Sequence, residues 1–157
     1  MDSLLLDTTY LLPIFGIKVG LRGYEEVFPK LIEEHAALYS PLSLVEAKWV
    51  VLKLARRSPS RRDALLEAYR LGLEALLSDK RLTMTEATSS KIEEVADKLL
   101  IEVGLKDYFD RMIYATAACK GAALLTEDED MLEIGKRWHI RPGEVLKWDD
   151  LIKKMKS

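Results

Sequence analysis

Short, uniformly apolar runs alternate along the chain with longer stretches of helical periodicity. Leu4-Leu5-Leu6 is apolar without alternation, so Ser3–Asp7 is expected to be a strand covered on both faces, as central strands of parallel sheets are. Tyr24–His35 has helical spacing, and Ala36–Ser40 reads as a second short strand. Pro41 breaks the chain, and Ser43 is placed to cap a helix from Leu44 to about Arg57. Ser58-Pro59-Ser60 turns into a further helix, Arg61–Leu77, with Pro59 suited to a first turn. Arg81–Met84 is a third expected strand, and Thr88–Val103 is amphipathic up to Gly104, a natural helix-ending residue. A helix over Asp110–Lys120 is terminated by Gly121, and Ala122–Leu125 is the next buried strand. A short helix is expected from Glu127 to about Arg137, a short strand around Pro142-Gly143, and a closing helix over Asp149–Lys156. Strands alternating with helices predict an α/β fold: a three-layer sandwich with a short central parallel sheet flanked by helices. No repeat, low-complexity tract or linker divides residues 1–157, so one domain is expected.

Composition narrows the function classes. The net charge of −2 gives no global attraction to nucleic acid, so any such binding must come from a local patch. The apolar runs are too short to span a bilayer, and no basic segment precedes Leu4–Leu6 as a signal peptide requires. The single cysteine, Cys119, cannot form an internal disulfide and fits a reducing cytoplasm. The chain contains neither Asn nor Gln. Both are thermolabile, so their absence beside abundant Glu, Lys and Arg points to a thermophile. It also removes the side chains that read adenine bidentately, leaving charge, shape and stacking for any nucleic-acid recognition.

Four carboxylates stand where an acid is unexpected. Asp7 ends the run Leu4–Leu6, and Asp128 follows Ala122–Leu125 by way of Thr126. Glu46 is the only acid between Glu34 and Asp63, and Asp110 opens a helical segment. Sites in open α/β sheets form at the carboxyl ends of strands. Asp7 and Asp128 lie just past two such ends, and Glu46 and Asp110 lie in the first turns of helices. If the fold brings them together, protonation or a cation must relieve their repulsion. Oxygen ligands with no Cys or His nearby suit Mg²⁺ or Mn²⁺ and a phosphoryl-transfer reaction. Each acid also has an ordinary local role. Asp7 can cap a helix starting near Thr9, and Asp107 and Asp110 can be a cap and a first-turn acid. Thr126 and Glu129 have capping-box spacing, with Asp128 and Asp130 enriching the same turn. Glu46 alone caps nothing. Helix dipoles at these N-termini oppose a cation, so several full negative charges are needed to hold one.

These residues carry a resemblance. Leu4-Leu-Leu-Asp7-Thr-Thr-Tyr-Leu-Leu12, Ser43-Leu-Val-Glu46-Ala47, Asp110-Arg-Met-Ile-Tyr-Ala-Thr-Ala117 followed by Gly121, and Leu124-Leu-Thr126-Glu-Asp128-Glu-Asp130-Met131 resemble, in order and spacing, the PIN domain family and its VapC-type toxin ribonucleases. The segment between Ser58 and Ser90 does not match piece by piece. The resemblance implies an acidic catalytic and metal site at Asp7, Glu46, Asp110 and Asp128, with Asp130 as a further ligand and Thr8 and Thr126 in support. It implies an endoribonuclease that uses Mg²⁺ or Mn²⁺ and leaves a 5′-phosphate, paired as a toxin with an antitoxin protein. Asp107 competes with Asp110 for the third acid; the register of Ile113, Ala117 and Gly121 favours Asp110.

Three other readings stay open on the residues: a stand-alone RNA-processing nuclease, a catalytically silent interaction module, and an aspartate-based phosphatase. The last needs a second Asp two residues after the first, where Thr9 stands, and a P-loop is absent. Lys53, Arg56, Arg57, Arg61 and Arg62 form a basic corner able to contact RNA phosphates. His35 and His139 have no ligand spacing, and Cys119, Trp49, Trp138 and Trp148 are expected in the core. Ala64–Leu77 is apolar around most of its helical circumference, more than one sheet face requires. A twofold homodimer, which the resemblance also implies, is the expected cover, with Leu73 and Leu76 at its interface.

Overall fold

The computed structural model describes residues 2–157. Five parallel strands run in the order β3-β2-β1-β4-β5. They are β1 (Ser3–Leu6), β2 (Ala36–Tyr39), β3 (Leu82–Met84), β4 (Ala123–Leu125) and β5 (Glu144–Leu146). In β1, successive side chains face opposite layers, as the period of two requires. Leu4 and Leu6 join one apolar layer with Ala123 and Leu125, while Leu5 joins the other with Leu124. The first layer is closed by α1 (Tyr24–Glu34), α2 (Pro41–Arg57), α3 (Arg62–Ser78) and α7 (Trp148–Lys156). The second is closed by α4 (Ser90–Lys98), α5 (Tyr108–Lys120) and α6 (Glu129–Arg137). This is the expected sandwich around a parallel sheet.

Strand order reverses between β1 and β4, which pair in register Leu6 to Leu125. The Asp7 amide continues the ladder by donating to the Leu125 carbonyl, 3.0 Å away. The carboxyl ends of β1 and β4 therefore open side by side, and the crevice there is where this topology places a site.

Several boundaries differ from the sequence expectation for identifiable reasons. The helix α2 starts at Pro41, because Ser40 is extended and its Oγ accepts from the Leu42 amide. Pro41 thus starts the helix, its fixed φ suiting that position. Ser43 lies inside the first turn, fully buried, and its Oγ has no partner among the described residues. The amphipathic segment after Ser89 changes to a wide π turn over Leu99–Val103 before Gly104 ends it at φ 80°. The strand expected near Pro142-Gly143 begins at Glu144.

The helix α3 buries more of its apolar surface within the subunit than its sequence implied. Leu65, Tyr69, Gly72 and Leu76 are buried, and Leu66 and Leu73 pack on the same core. A Cβ at Gly72 would lie 2.4 Å from the Ile14 carbonyl oxygen, so only glycine lets α3 approach the 3₁₀ segment Leu12–Phe15 this closely. Leu76 is consequently a core residue, Leu73 is half-buried at the core's edge, and Leu71 and Leu77 are the leucines of α3 left exposed. Among the described residues, no helix is long and apolar enough to cross a membrane.

Candidate metal centre

Asp7, Thr8, Glu46, Asp110, Glu127 and Asp128 line one open cleft of about 370 Å³ at the carboxyl edge of β1 and β4. The four carboxylates of the sequence analysis are thus brought together. Each arrives by a different element: Asp7 after β1, Glu46 from the second turn of α2, Asp110 from the first turn of α5, and Asp128 from the start of α6.

Asp7 is the anchor. It is 8% exposed, and both oxygens are held. Oδ1 accepts from the Thr8 amide at 2.8 Å, and Oδ2 accepts from the Thr126 hydroxyl at 2.7 Å. Burial pushes the Asp7 carboxyl up to about 6; the bonds from Thr126 and Thr8 oppose the rise, and the charges of Glu46 and Asp128 add to it. The Thr126 hydroxyl, fully buried, also accepts from the Asp128 amide at 3.0 Å. One threonine therefore ties the two strand-end aspartates together. The Thr8 hydroxyl does the same across the cleft by donating to Glu46 Oε1. Burial also raises the Glu46 carboxyl; the Thr8 bond opposes this and the Asp107 charge reinforces it.

Asp110 carries the largest electrostatic load. Burial, then the charges of Asp107, Asp128, Asp7 and Glu46, push its carboxyl up to about 8. Asp107 is the N-cap of α5, its Oδ1 accepting from the Asp110 amide at 3.0 Å. Carboxylate oxygens of Glu46, Asp107 and Asp110 lie within 4.8 Å of one another. Asp107 and Asp110 are therefore not alternatives, because a spacing of three residues puts both on one side of the first turn. Asp130 is exposed and faces a neighbouring depression shared with Asp107 and Asp110, outside the Asp7 cleft.

The ordinary roles hold alongside the clustering. Asp7 caps the 3₁₀ turn Thr8–Tyr10, and Asp128 caps α6 through Oδ1 to the Met131 amide at 2.9 Å. The capping box expected from Thr126 and Glu129 does not form, since Asp128 is the N-cap and Thr126 serves Asp7. Glu127 is a cleft residue that the sequence reading passed over. Its Oε2 accepts from the Tyr10 hydroxyl at 2.6 Å and the Trp148 amide at 2.9 Å, so it braces the floor. Only its position between Thr126 and Asp128 hinted at this.

The donor set passes the test for a hard divalent cation. The cleft lining holds carboxylates and threonine hydroxyls and, among the described residues, no His or Cys. Carboxyls raised toward neutrality by burial and mutual repulsion are what a bound cation would lower again.

Around the cleft, Lys53, Arg56, Arg57, Arg61 and Arg62 are all exposed, with Lys53 and Arg56 beside Glu46 and Trp49 in an adjoining groove. Two residues expected in the core lie at the surface: Trp49, 60% exposed, and Cys119. Trp138 and Trp148 are buried as expected.

Comparison with known proteins agrees with this fold. No curated protein sequence matches the chain. Solved structures with the same fold include PAE2754 from Pyrobaculum aerophilum, at 15% identity and a TM-score of 0.64, with 99% of this chain and 96% of that one covered. VapBC2 from Rickettsia felis, solved bound to a DNA fragment from its promoter, aligns at 20% identity and a TM-score of 0.63, covering 94% and 99%. VapBC-5 from Mycobacterium tuberculosis, a member of a family of toxin–antitoxin systems, aligns at 18% identity and a TM-score of 0.61, covering 94% and 99%. The PIN domain family model matches residues 4–137, which takes in all four carboxylates, and the chain belongs to the PIN domain family.

Proposed function

We propose that this protein is an endoribonuclease that hydrolyses phosphodiester bonds in RNA with Mg²⁺ or Mn²⁺, and that it is the toxin of a toxin–antitoxin pair. The observation that carries the reading is the convergence of Asp7, Glu46, Asp110 and Asp128 on one cleft of a PIN domain. Glu46, Asp107 and Asp110 would hold the ion, with Asp7 and Asp128 completing the negative field and Asp130 at the entrance. When bound, the ion supplies polarisation of the scissile phosphate and activation of the attacking water. The chain itself supplies position. Thr126 locks Asp7 to the start of α6, Thr8 locks Glu46 to β1, and Glu127 holds the floor to Tyr10 and Trp148.

The toxin assignment is supported by the fold neighbours that are toxin–antitoxin proteins. The partners that follow are an antitoxin that blocks the cleft and a second copy of the chain. On α3, such a dimer could use Leu71, Leu77 and the half-buried Leu73, whereas Leu76 is taken up by the subunit's own core. A catalytically silent module has no reason to keep five repelling carboxylates in and beside one cleft.

Isothermal titration with Mn²⁺ tests the metal site. Heat should appear at or below millimolar metal and be lost in Asp110→Asn. Absence of heat from the wild type at millimolar Mn²⁺ would remove the basis of the proposal.

A further inference from the structure

Among α2 residues, Glu46, Trp49, Val50, Lys53, Arg56 and Arg57 are spaced three, four, seven, ten and eleven positions from the first. That spacing places them on one face of the helix. The stripe starts at a carboxylate of the candidate metal centre and ends in the basic corner. A groove of about 620 Å³ follows it, lined by Glu46, Trp49, Val50, Leu52, Lys53 and Arg56. The groove shares Glu46 and Val50 with the acidic cleft, so the two depressions adjoin across these residues.

Two features of the stripe are unexplained by the fold. The Trp49 indole is 60% exposed, although Trp138 and Trp148 are 7% and 1% exposed. Its ring meets Phe109 edge-on, with centroids 5.2 Å apart, which steadies it from α5 without covering it. Lys53, Arg56 and Arg57 are exposed and, among the described residues, none is in an ion pair.

An exposed, steadied aromatic followed by cations one helical turn apart has the chemistry of a single-strand binding surface. The π-face stacks a base and the cations follow the phosphates. Bidentate adenine readout by Asn or Gln is unavailable to this chain, which gives stacking and charge the larger share in holding a strand. Its shared wall with the acidic cleft points to where the strand leads.

We propose that this face of α2 is the track along which single-stranded RNA enters the metal centre, with Trp49 stacking a base beside the scissile phosphate and Lys53 and Arg56 contacting the phosphates beyond it. The proposal rests on the nuclease reading and adds the residues that position its substrate. Protein partners compete for the same surface in principle, since Val45 and Leu52 flank Trp49 and are also exposed. The unpaired cations and the shared wall with the acid cleft favour the polyanion.

Binding of a 12-nucleotide single-stranded RNA in EDTA, followed by tryptophan fluorescence, tests this. With the other two indoles buried, the quenchable signal belongs to Trp49. RNA should quench the wild type and leave Trp49→Phe unquenched but still able to bind. Trp49→Ala should weaken binding about tenfold with an unchanged melting temperature, and in Mn²⁺ raise KM by a similar factor with kcat retained. Lys53→Gln with Arg56→Gln should lower the slope of log affinity against log salt by about 1.4. If the wild type cleaves RNA and Trp49→Ala does so with the same KM, the track is refuted while the nuclease reading stands. If the wild type neither binds nor cleaves RNA, the nuclease reading fails and the track with it. Fluorescence that ignores RNA but follows a monomer–dimer equilibrium abolished by Trp49→Ala would assign the face to a second copy of the chain and overturn the proposal.

Discussion

Replacing Asp7 with asparagine should make the metal-free protein more stable at alkaline pH, although it removes the anchor of the site. The Asp7 carboxyl is pushed by burial from its ordinary 3.8 up to about 6. In the unfolded chain the group ionises first, so the folded state holds the extra proton between those values. Folding stability therefore falls as pH rises from about 4 to 6, and above that the full cost of the buried charge is present. A displacement of that size corresponds to about 3 kcal/mol. Asparagine keeps an acceptor for one of the two present donors, the Thr8 amide or the Thr126 hydroxyl. Losing the other bond costs about 1 kcal/mol. The net expectation is a variant about 2 kcal/mol more stable than wild type at pH 8 in EDTA, with no gain at pH 4, where the wild-type carboxyl is protonated. Urea denaturation at both pH values reads this directly, and adding Mn²⁺ should raise the wild-type midpoint more than the variant's, which keeps Glu46, Asp107 and Asp110 but lacks the Asp7 charge. A variant less stable than wild type at pH 8 in EDTA, or a difference independent of pH, would refute the reasoning that Asp7 is held charged at a cost.

Thr126→Val keeps the shape of a fully buried side chain but strands Asp7 Oδ2 and the Asp128 amide, so it should cost about 2–3 kcal/mol in chemical denaturation. Gly72→Ala would drive a methyl into the Ile14 carbonyl, and a loss of about 3 kcal/mol is expected, seen as a fall in Tm of roughly 10 °C. The Asp110 carboxyl, raised to about 8, must lose its proton for a cation to bind. Mn²⁺ affinity should therefore rise about tenfold per pH unit between 6 and 8, with proton release measurable by titration in buffers of different ionisation enthalpy.

The layers and the acidic site were largely legible in the sequence, because both follow from patterns that local physics enforces. Short uniform apolar runs such as Leu4–Leu6, bounded by polar residues, suit strands covered on both sides, and acids just past such strands sit at the sheet's carboxyl edge. What the sequence hid depended on choices among equivalent local solutions. Ser40 and Ser43 are both credible caps three residues apart, and the extended end of β2 decides for Ser40. Leu99–Val103 continues an apolar helical pattern equally well as an α or a π turn. The exposure of Trp49 was hidden because α2 is apolar on more than one face, and only the fold reveals which face α3 covers. The same applies to α3, whose apolar surface is shared between α2 and the segment Leu12–Phe15, the latter brought there by a glycine contact that no periodicity reports. The opposition between capping and clustering in the acids was itself misleading, since Asp7, Asp107 and Asp128 cap helices and surround the cleft at the same time.

The central claim is tested most directly by cleavage of a 5′-labelled single-stranded RNA by the purified protein with Mg²⁺ or Mn²⁺, with Asp128→Asn as the comparison. The account predicts metal-dependent internal cleavage leaving 5′-phosphate ends, abolished by EDTA and reduced at least a hundredfold in Asp128→Asn while the variant's circular dichroism and melting remain those of a folded protein. Cleavage that persists in EDTA, or that Asp128→Asn carries out as fast as the wild type, would contradict it.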